Sequence, residues 1–391
     1  MEVAAASFGL VPEDASMKAV RPPDHTAHRD AAIVRAVARW FAIHKRPLPW
    51  RADDPVRGAG YRDPYRSLVS EFMLQQTQVA RVLEKFEPFL SRFPTVQALA
   101  AAHEDEVLAA WTGLGYYRRA RLLHAAARAI METHNGTVPN SVDALQELPG
   151  VGRYTAGAIA SMAHRQSAAL VDTNVIRVIL RVDAKTLDAA QAAPYVWNRA
   201  EYLASLAHRS RGLTAGEFNE GLMELGATAC VAGSPRCEAC PLAQARLCSA
   251  HARGRQSHIP RAKVKKARTA ITHAVVLVQD RRGRFLLEQR PAQGLWAGLW
   301  QPPALELGSN EHTPRLPALL RRLALPRSSA APLKPFVFHT SHREVRFVAW
   351  HMTIGASHTP RGRRWVAQSE LSAHAMSSPV RSLVRAFERQ D

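Results

Sequence analysis

Apolar residues recur at helical spacing through residues 31–250 and then change to short runs. The first part contains alanine- and leucine-rich amphipathic stretches separated by proline and glycine, a pattern typical of helices joined by short loops. Beyond residue 270, the runs ITHAVVLVQD, GRFLLEQR and EVRFVAWHMTI are short, rich in β-branched residues and bounded by turn signals. The pattern predicts an all-α region of one or two lobes over residues 31–250 and an α+β domain over residues 270–391.

Two segments follow neither pattern. Residues 1–30 combine alanine with charged residues and include Pro22 and Pro23, which predicts a disordered leader. Residues 251–269 carry seven basic residues and no acidic one, which predicts a linker. Two roles fit this basic run equally well, a solvated tether and a contact to DNA.

The charge balance indicates a polyanionic partner. The 391 residues contain 52 Lys plus Arg against 33 Asp plus Glu, a formal net charge of +19. An arginine-preferring genome is the competing explanation of this excess. The sequence contains no run of eighteen apolar residues, which a membrane span would need, and its N-terminus has no secretory-signal pattern. We therefore expect a cytoplasmic location and no membrane partner.

A glycine-rich hairpin stands between two helical patterns in LPGVGRYTAGAIA. Gly150 and Gly152 allow a tight turn whose N–H groups approach a phosphate, and the N-terminus of the following helix adds positive dipole. Such a hairpin grips a DNA strand without reading its sequence. Asp172 follows about twenty residues later, in a position that we expect to face the gripped nucleotide.

The four cysteines all fall in one short segment. Cys230, Cys237, Cys240 and Cys248 have the spacing C-x6-C-x2-C-x7-C. In a reducing compartment such clustering indicates a metal site, and four thiolates suit either zinc or a [4Fe-4S] cluster. The spacing alone does not choose between them.

The hairpin and Asp172 resemble the helix-hairpin-helix DNA glycosylases, and residues 46–248 resemble the MutY family of adenine DNA glycosylases. The matching stretches are LPWR, DPYRSLVSEFMLQQTQVARV, WTGLGYYRRARLL, the hairpin and FNEGLMELGATAC. The resemblance implies removal of adenine mispaired with 8-oxoguanine or guanine in double-stranded DNA, by an enzyme that we expect to be a monomer. It also implies a [4Fe-4S] cluster held by the four cysteines, although the family pattern ends in C-x5-C and the last gap here is two residues longer.

The catalytic roles that the resemblance implies agree with the chemistry of the residues. Glu71 lies in an apolar helical stretch, where burial raises a carboxyl pKa and retains a proton for N7 of adenine. Asp172, with Asn174 nearby, is expected to stay ionised and stabilise the sugar cation. Tyr154 is expected to orient this pair. Because bifunctional relatives carry a lysine in the hairpin for Schiff-base chemistry, Tyr154 predicts a monofunctional enzyme.

Further roles come from the resemblance alone. Gln76 would fill the gap left by an extruded base, and Tyr116 would wedge beside the opposing base. The residues that would line the adenine pocket are Arg46, Trp50, Arg51, Leu74 and Glu220.

The segment LLEQRPAQGLWAGLWQPP resembles the MutT-like domain of MutY proteins, which implies a Nudix fold that recognises 8-oxoguanine. An active Nudix enzyme needs a glutamate-rich helix for Mg2+, but the corresponding stretch reads LELGSNEHTPRLPALLRR, so we expect binding without hydrolysis. In FHTSHREV, Ser341 and His342 match the residues that contact 8-oxoguanine, while Thr340 replaces a phenylalanine.

Three other functions compete with this interpretation. An endonuclease III-like glycosylase-lyase for oxidised pyrimidines shares the hairpin, the aspartate and the cluster, but Tyr154 and the extra domain argue against it. A catalytically silent DNA-binding scaffold and a nucleotide hydrolase with a helical appendage are the other two. Neither explains the full set of pocket residues.

Overall fold

The computed structural model describes residues 24–261, 268–309, 311–340, 342–355 and 362–388. Its N-terminal part is a helical lobe, as predicted. The helices of this lobe are α1 (Asp24–His44), α2 (Pro64–Leu74), α3 (Val79–Arg92), α4 (Val96–Ala101), α5 (Glu104–Ala110), α6 (Arg118–Thr133), α7 (Val142–Gln146), α8 (Arg153–Met162), α9 (Thr173–Val182), α10 (Ala189–Arg209), α11 (Ala215–Thr228), α12 (Pro241–Gln244) and α13 (Ser249–Ala252).

Two apolar cores hold the helical lobe together. The first is formed mainly by α2 to α8 and contains the fully buried rings of Phe72, Phe86 and Trp111. The second is formed mainly by α1 and α9 to α11 and contains Phe218. Helix α3 buries one apolar face, as its sequence periodicity predicts, whereas α2, α8 and α11 are buried on nearly all sides. A cleft lined by residues of both cores lies between them.

The structure corrects both predicted boundaries of the lobe. Residues 24–30 were predicted to belong to the leader but lie in α1, where buried Asp30 accepts a hydrogen bond from Arg199 at 2.7 Å. Residues 1–23 lie outside the described part of the chain. The predicted linker begins too early, because Ile259 is buried in the second core and its carbonyl accepts from Arg181 at 2.8 Å. Residues 262–267 also lie outside the described part.

The C-terminal part is an α+β domain, as predicted. Its strands are β1 (Thr269–Asp280), β2 (Phe285–Gln289), β3 (Trp300–Gln301), β4 (Ala304–Leu307), β5 (Ala331–Pro332), β6 (Phe336–His339), β7 (Arg343–Ile354) and β8 (Arg363–Val366), and its helices are α14 (Leu316–Arg322) and α15 (Ser378–Glu388). The long strands β1 and β7 pair in parallel, with Thr269 opposite Arg343 and Asp280 opposite Ile354. Alternate residues of β1 face two separate apolar layers, one packed on α15 and one on α14.

The two domains contact each other beside the loop that joins α5 to α6. The hydroxyl of Tyr117 donates to the carbonyl of Met376 at 2.8 Å, and Arg381 donates to the Thr112 hydroxyl at 3.1 Å. Leu299 and Ala375 of the C-terminal domain extend the first core of the lobe. None of the helices in the described ranges has both the length and the apolar character needed to cross a membrane.

Candidate active site

A cavity of about 240 Å³ lies between the two cores of the helical lobe. Its walls come from α2, α8, α9, α11 and the segment that follows α1. The cavity brings together all nine residues that the sequence predicts for catalysis and for the adenine pocket, which are Glu71, Asp172, Tyr154, Asn174, Arg46, Trp50, Arg51, Leu74 and Glu220.

Glu71 lies near the C-terminal end of α2, on its buried side. The helix begins where Asp63 accepts hydrogen bonds from the N–H groups of Tyr65 and Arg66, with Pro64 in the first turn. The Glu71 side chain is 5% exposed, and its Oε2 has no hydrogen-bond partner within the described ranges. Burial raises its pKa from 4.5 to about 7, and the charges of Asp172 and Glu220 act in the same direction. The carboxyl therefore holds a proton over much of the neutral range.

Asp172 is fixed by its position as the N-cap of α9. One carboxylate oxygen accepts from the Val175 N–H at 2.7 Å, and the other accepts from the Asn174 amide at 2.7 Å. Burial raises the pKa of Asp172, whereas these hydrogen bonds and the charge of Arg177 act against the rise. The two carboxyl groups of the cavity thus differ in surroundings, because both oxygens of Asp172 accept hydrogen bonds, whereas Oε2 of Glu71 is buried without a partner among the described residues.

Tyr154 occupies the first turn of α8, two residues after the hairpin glycine at 152. Its hydroxyl lies 3.5 Å from the sulfur of Met223 and interacts with Glu71, whose pKa it lowers against the effect of burial. Burial and the neighbouring carboxylates raise the pKa of Tyr154 well above its ordinary value. The phenol therefore keeps its proton and acts as a neutral hydrogen-bond donor beside the two carboxyl groups.

Arginines and glutamates that line the cavity form a charged network. Arg51 donates to Glu220 and to Glu224, each at 2.9 Å. Arg46 pairs with Glu224 at 2.5 Å, and Arg62 pairs with Glu220 at 2.6 Å. Both glutamates are buried, so these arginines are needed to stabilise their negative charges. The ion pairs in turn hold the guanidinium planes in fixed orientations.

Arg62 and Glu224 belong to this network but were not predicted from the sequence. Glu224 follows Glu220 by one turn of α11, so the spacing of four residues could have predicted that both glutamates lie on the same face of the helix. Ser67 and Ser70 also line the cavity and lie on the same face of α2 as Glu71. Arg62 had no such signal, because it precedes α2 in a loop.

The hairpin glycines differ in their roles. Gly150 has a φ of +80°, and a Cβ there would lie 2.8 Å from the Cβ of Leu122, so the turn requires glycine. Gly152 caps α8 with ordinary φ, and no atom lies within 4 Å of the position a Cβ would take. The open surface at Gly152 leaves room for a close approach to the start of α8.

Gln76 and Tyr116 lie outside the cavity, on two loops at its edge. Gln76 follows α2 and Tyr116 precedes α6, and both have left-handed backbone conformations, with φ of 54° and 46°. Both side chains are exposed, Tyr116 by 45%. Non-glycine residues rarely adopt this conformation, so the surrounding contacts must hold it.

The four cysteines lie around the ends of α11, α12 and α13, and none of them forms a disulfide. Cys240 is buried and the other three are half-buried. Burial and the neighbouring thiols raise the pKa of Cys237, and the Arg181 guanidinium lies 3.2 Å from the sulfur of Cys230. Within the described ranges, no three His, Cys, Asp or Glu side chains are arranged to hold a metal ion. Four neighbouring cysteine sulfurs are, however, the type of ligand that a thiophilic metal group prefers.

In the C-terminal domain, the residues predicted to contact 8-oxoguanine fall between β6 and β7 in the sequence. Ser341 lies outside the described residues. His342 is exposed, and its carbonyl accepts from the Thr269 N–H at 3.0 Å. The Thr340 hydroxyl accepts from the Arg343 N–H at 2.9 Å, so Thr340 stabilises the turn where a phenylalanine was expected.

Comparison with known proteins identifies relatives of both domains. Residues 69–194 match the HhH-GPD superfamily base excision DNA repair protein model, and residues 274–386 match the NUDIX domain model. The adenine DNA glycosylase of Rattus norvegicus is 34% identical over 410 residues, covering 91% of this chain and 78% of the relative. That of Mycobacterium tuberculosis (strain CDC 1551 / Oshkosh) is 48% identical over 221 residues, covering 56% of this chain and 68% of the relative. Among solved structures, a thermostable thymine-DNA glycosylase matches with a TM-score of 0.51 at 28% identity, over 59% of this chain and 100% of that chain.

Proposed function

The chain belongs to the adenine DNA glycosylase family of base-excision repair enzymes, and on that premise we propose that it removes adenine mispaired with 8-oxoguanine or guanine in double-stranded DNA. The observation that carries this proposal is the cavity in which Glu71, Tyr154 and Asp172 meet. Two carboxyl groups in different surroundings meet the two needs of N-glycosidic bond cleavage, a proton for the leaving base and a negative charge for the sugar cation.

In the proposed reaction, protonated Glu71 donates to N7 of the extruded adenine, which makes the base a better leaving group. The C–N bond breaks, its electron pair leaves with adenine, and the carboxylate of Asp172 stabilises the oxocarbenium-like sugar until water adds. Asn174 and the Val175 N–H hold Asp172 in place through the hydrogen bonds described above. Tyr154 orients the pair as a neutral donor.

We assign monofunctional chemistry to this site. A lyase forms a Schiff base between an amine and the sugar, and no lysine stands among the described residues that line the cavity. At the position where lyases carry their lysine, Tyr154 offers only a phenol. The product expected from this chain is therefore an intact strand with an abasic site.

Base recognition and extrusion are assigned to the residues around the cavity. Trp50 and Leu74 supply apolar walls, whereas Arg46, Arg51 and Glu220 supply polar groups for the edge of adenine. The hairpin with Gly150 and Gly152 grips the backbone of the strand that carries the adenine. Gln76 and Tyr116 enter the duplex when adenine leaves it. In the C-terminal domain, Ser341 and His342 are assigned to the opposing 8-oxoguanine.

We further propose that Cys230, Cys237, Cys240 and Cys248 hold a [4Fe-4S] cluster. When bound, such a cluster fixes the fold of the segment after α11 through iron–thiolate bonds. Arg236 and Arg246 lie in this segment, so its shape sets where two positive charges face the DNA backbone. Iron and sulfide analysis of the purified protein, with zinc measured in parallel, decides between the two metal groups that four thiolates suit.

The test of the proposed function is adenine release from three duplexes under single-turnover conditions, with adenine opposite 8-oxoguanine, guanine or thymine. We expect release from the first two and none from the third. Glu71→Gln is the inactive control, and Glu147→Gln, the same change in an exposed residue, is the matched control that keeps activity. Equal release from all three duplexes, or equal activity of the Glu71→Gln variant, would contradict the proposal.

A further inference from the structure

Arg119 is a buried cation that the proposed mechanism does not use. It lies in the first turn of α6 and is 6% exposed. No ion pair joins it to a carboxylate within the described ranges, and burial lowers its pKa to about 10, so it stays charged at neutral pH. Burying an arginine without a counter-ion is unfavourable unless many acceptors surround it. The groups that accept hydrogen bonds from Arg119 therefore show which parts of the lobe it holds together.

One side of the guanidinium binds the end of the helix that carries Glu71. Nη1 donates to the carbonyls of Phe72 at 2.7 Å and Met73 at 2.9 Å. Both carbonyls belong to the last turn of α2, which lacks helical partners for its acceptors. Arg119 thus caps the catalytic helix directly after Glu71.

The other side of the guanidinium binds the two loops that carry Gln76 and Tyr116. Nη2 donates to the Thr77 hydroxyl at 2.9 Å, in the loop after α2. It also donates to the Leu114 carbonyl at 3.0 Å and the Gly115 carbonyl at 3.2 Å, in the loop before α6. The Thr77 hydroxyl lies 3.3 Å from the same Leu114 carbonyl.

Arg119 also contacts the inserting side chain itself. Its guanidinium carbon lies 5.6 Å from the centre of the Tyr116 ring and 5.4 Å from the centre of the Trp111 ring. Gln76 and Tyr116 both have left-handed backbone conformations, which persist only where surrounding contacts hold them. Arg119 binds Thr77 next to Gln76, and it binds Gly115 next to Tyr116.

We infer that Arg119 is a positioning residue that holds Gln76 and Tyr116 ready to enter the duplex and fixes both to the helix that carries Glu71. This inference rests on the proposed function. A lysine cannot replace the arginine, because one ammonium cannot reach acceptors on three segments, whereas the planar fork of arginine does so with both terminal nitrogens. Arg119 has no direct role in breaking the glycosidic bond.

The test measures base extrusion separately from binding and chemistry. Glu71→Gln prevents excision, and 2-aminopurine next to the target adenine fluoresces when the adenine leaves the stack. In this background we expect Arg119→Lys to remove most of the fluorescence rise. Duplex affinity, which phosphate contacts dominate, should change by less than about threefold. With Glu71 intact, single-turnover excision should fall roughly a hundredfold.

Two controls separate positioning from general destabilisation. Arg128→Lys makes the same change in an exposed arginine of α6, and Leu203→Ala weakens the second core of the lobe without touching either loop. Both should keep the fluorescence rise at a temperature where they are folded. Thr77→Val removes only the hydroxyl that bridges Arg119 and Leu114, and it should reduce the rise even if Arg119→Lys does not fold.

The outcomes distinguish this inference from the proposed function. If the Glu71→Gln protein with Arg119 intact gives no fluorescence rise on a duplex with adenine opposite 8-oxoguanine, the proposed function fails. If that protein extrudes the base and Arg119→Lys or Thr77→Val does so equally well, the inference is wrong. An equal loss in Leu203→Ala would also overturn it, because the effect would then follow stability alone.

Discussion

The buried carboxyl of Glu71 makes the enzyme less stable as the pH rises, and Glu71→Gln should remove that effect. The folded protein has a Glu71 pKa of about 7, whereas the unfolded chain has the ordinary value of 4.5. Between these values the folded protein binds a proton that the unfolded chain lacks, so stability falls as pH increases through this window. The difference between the two pKa values, at ~1.4 kcal/mol per pH unit, lowers the free energy of unfolding by roughly 3 kcal/mol above pH 7.

The assay compares thermal unfolding of the parent protein and Glu71→Gln at several pH values on both sides of the Glu71 pKa. The variant should gain stability relative to the parent as pH rises, because glutamine has no charge to desolvate. Titrating groups that do not interact with Glu71 cancel in this difference. Glu147→Gln, in an exposed residue, should show a difference that does not change with pH. A Glu71→Gln difference that is equally flat would refute the argument that burial sets the protonation of Glu71.

The same residue predicts the pH dependence of excision. Because the protonated form of Glu71 acts as the acid, the single-turnover rate of the parent should fall by about tenfold per pH unit above the Glu71 pKa. Glu71→Gln should lower the rate by roughly 10²- to 10⁴-fold at neutral pH. A rate that rises with pH through neutrality would mean that the ionised carboxylate is the active form.

Three further predictions follow from the cavity and the cysteines. Tyr154→Lys should place an amine in the cavity, so borohydride should trap a covalent complex with adenine-containing mismatched DNA that the parent does not form. Glu224→Gln should leave Arg46 without its carboxylate partner and Arg51 with Glu220 alone, and should destabilise the helical lobe by roughly 3 kcal/mol, seen as a lower melting temperature; an unchanged melting temperature would contradict the network's role. Cys237→Ser should lose iron and DNA affinity together, and an iron-free variant with unchanged affinity would refute the structural role of the cluster.

The sequence predicted those parts of the molecule that depend on local pattern. Helical periodicity and the change to β-branched runs gave the two fold classes, and the hairpin glycines marked a turn that does require positive φ at Gly150. The residues of the cavity were predicted from a family resemblance, because residues as distant in sequence as Glu71 and Asp172 have no local signal for their proximity. Their convergence depends on the packing of α2, α8 and α9.

The parts that were missed depend on long-range contacts. Arg62 and Arg119 are ordinary basic residues in sequence, and their burial against Glu220 and against backbone carbonyls comes only from the folded chain. The predicted linker started too early for the same reason, since Ile259 is a single apolar residue in a basic run that nevertheless fills a gap in the second core. The leader boundary erred because α1 begins with polar and charged residues, whose pattern is weak.

The measurement that tests the central claim most directly is single-turnover cleavage of a duplex with adenine opposite 8-oxoguanine, beside a duplex with thymine glycol opposite adenine. Each product is analysed with and without hot alkali. The account predicts breaks at the mispaired adenine that appear only after alkali, and no reaction at thymine glycol. Breaks at thymine glycol without alkali would contradict it and assign the chain to the lyases, despite Tyr154.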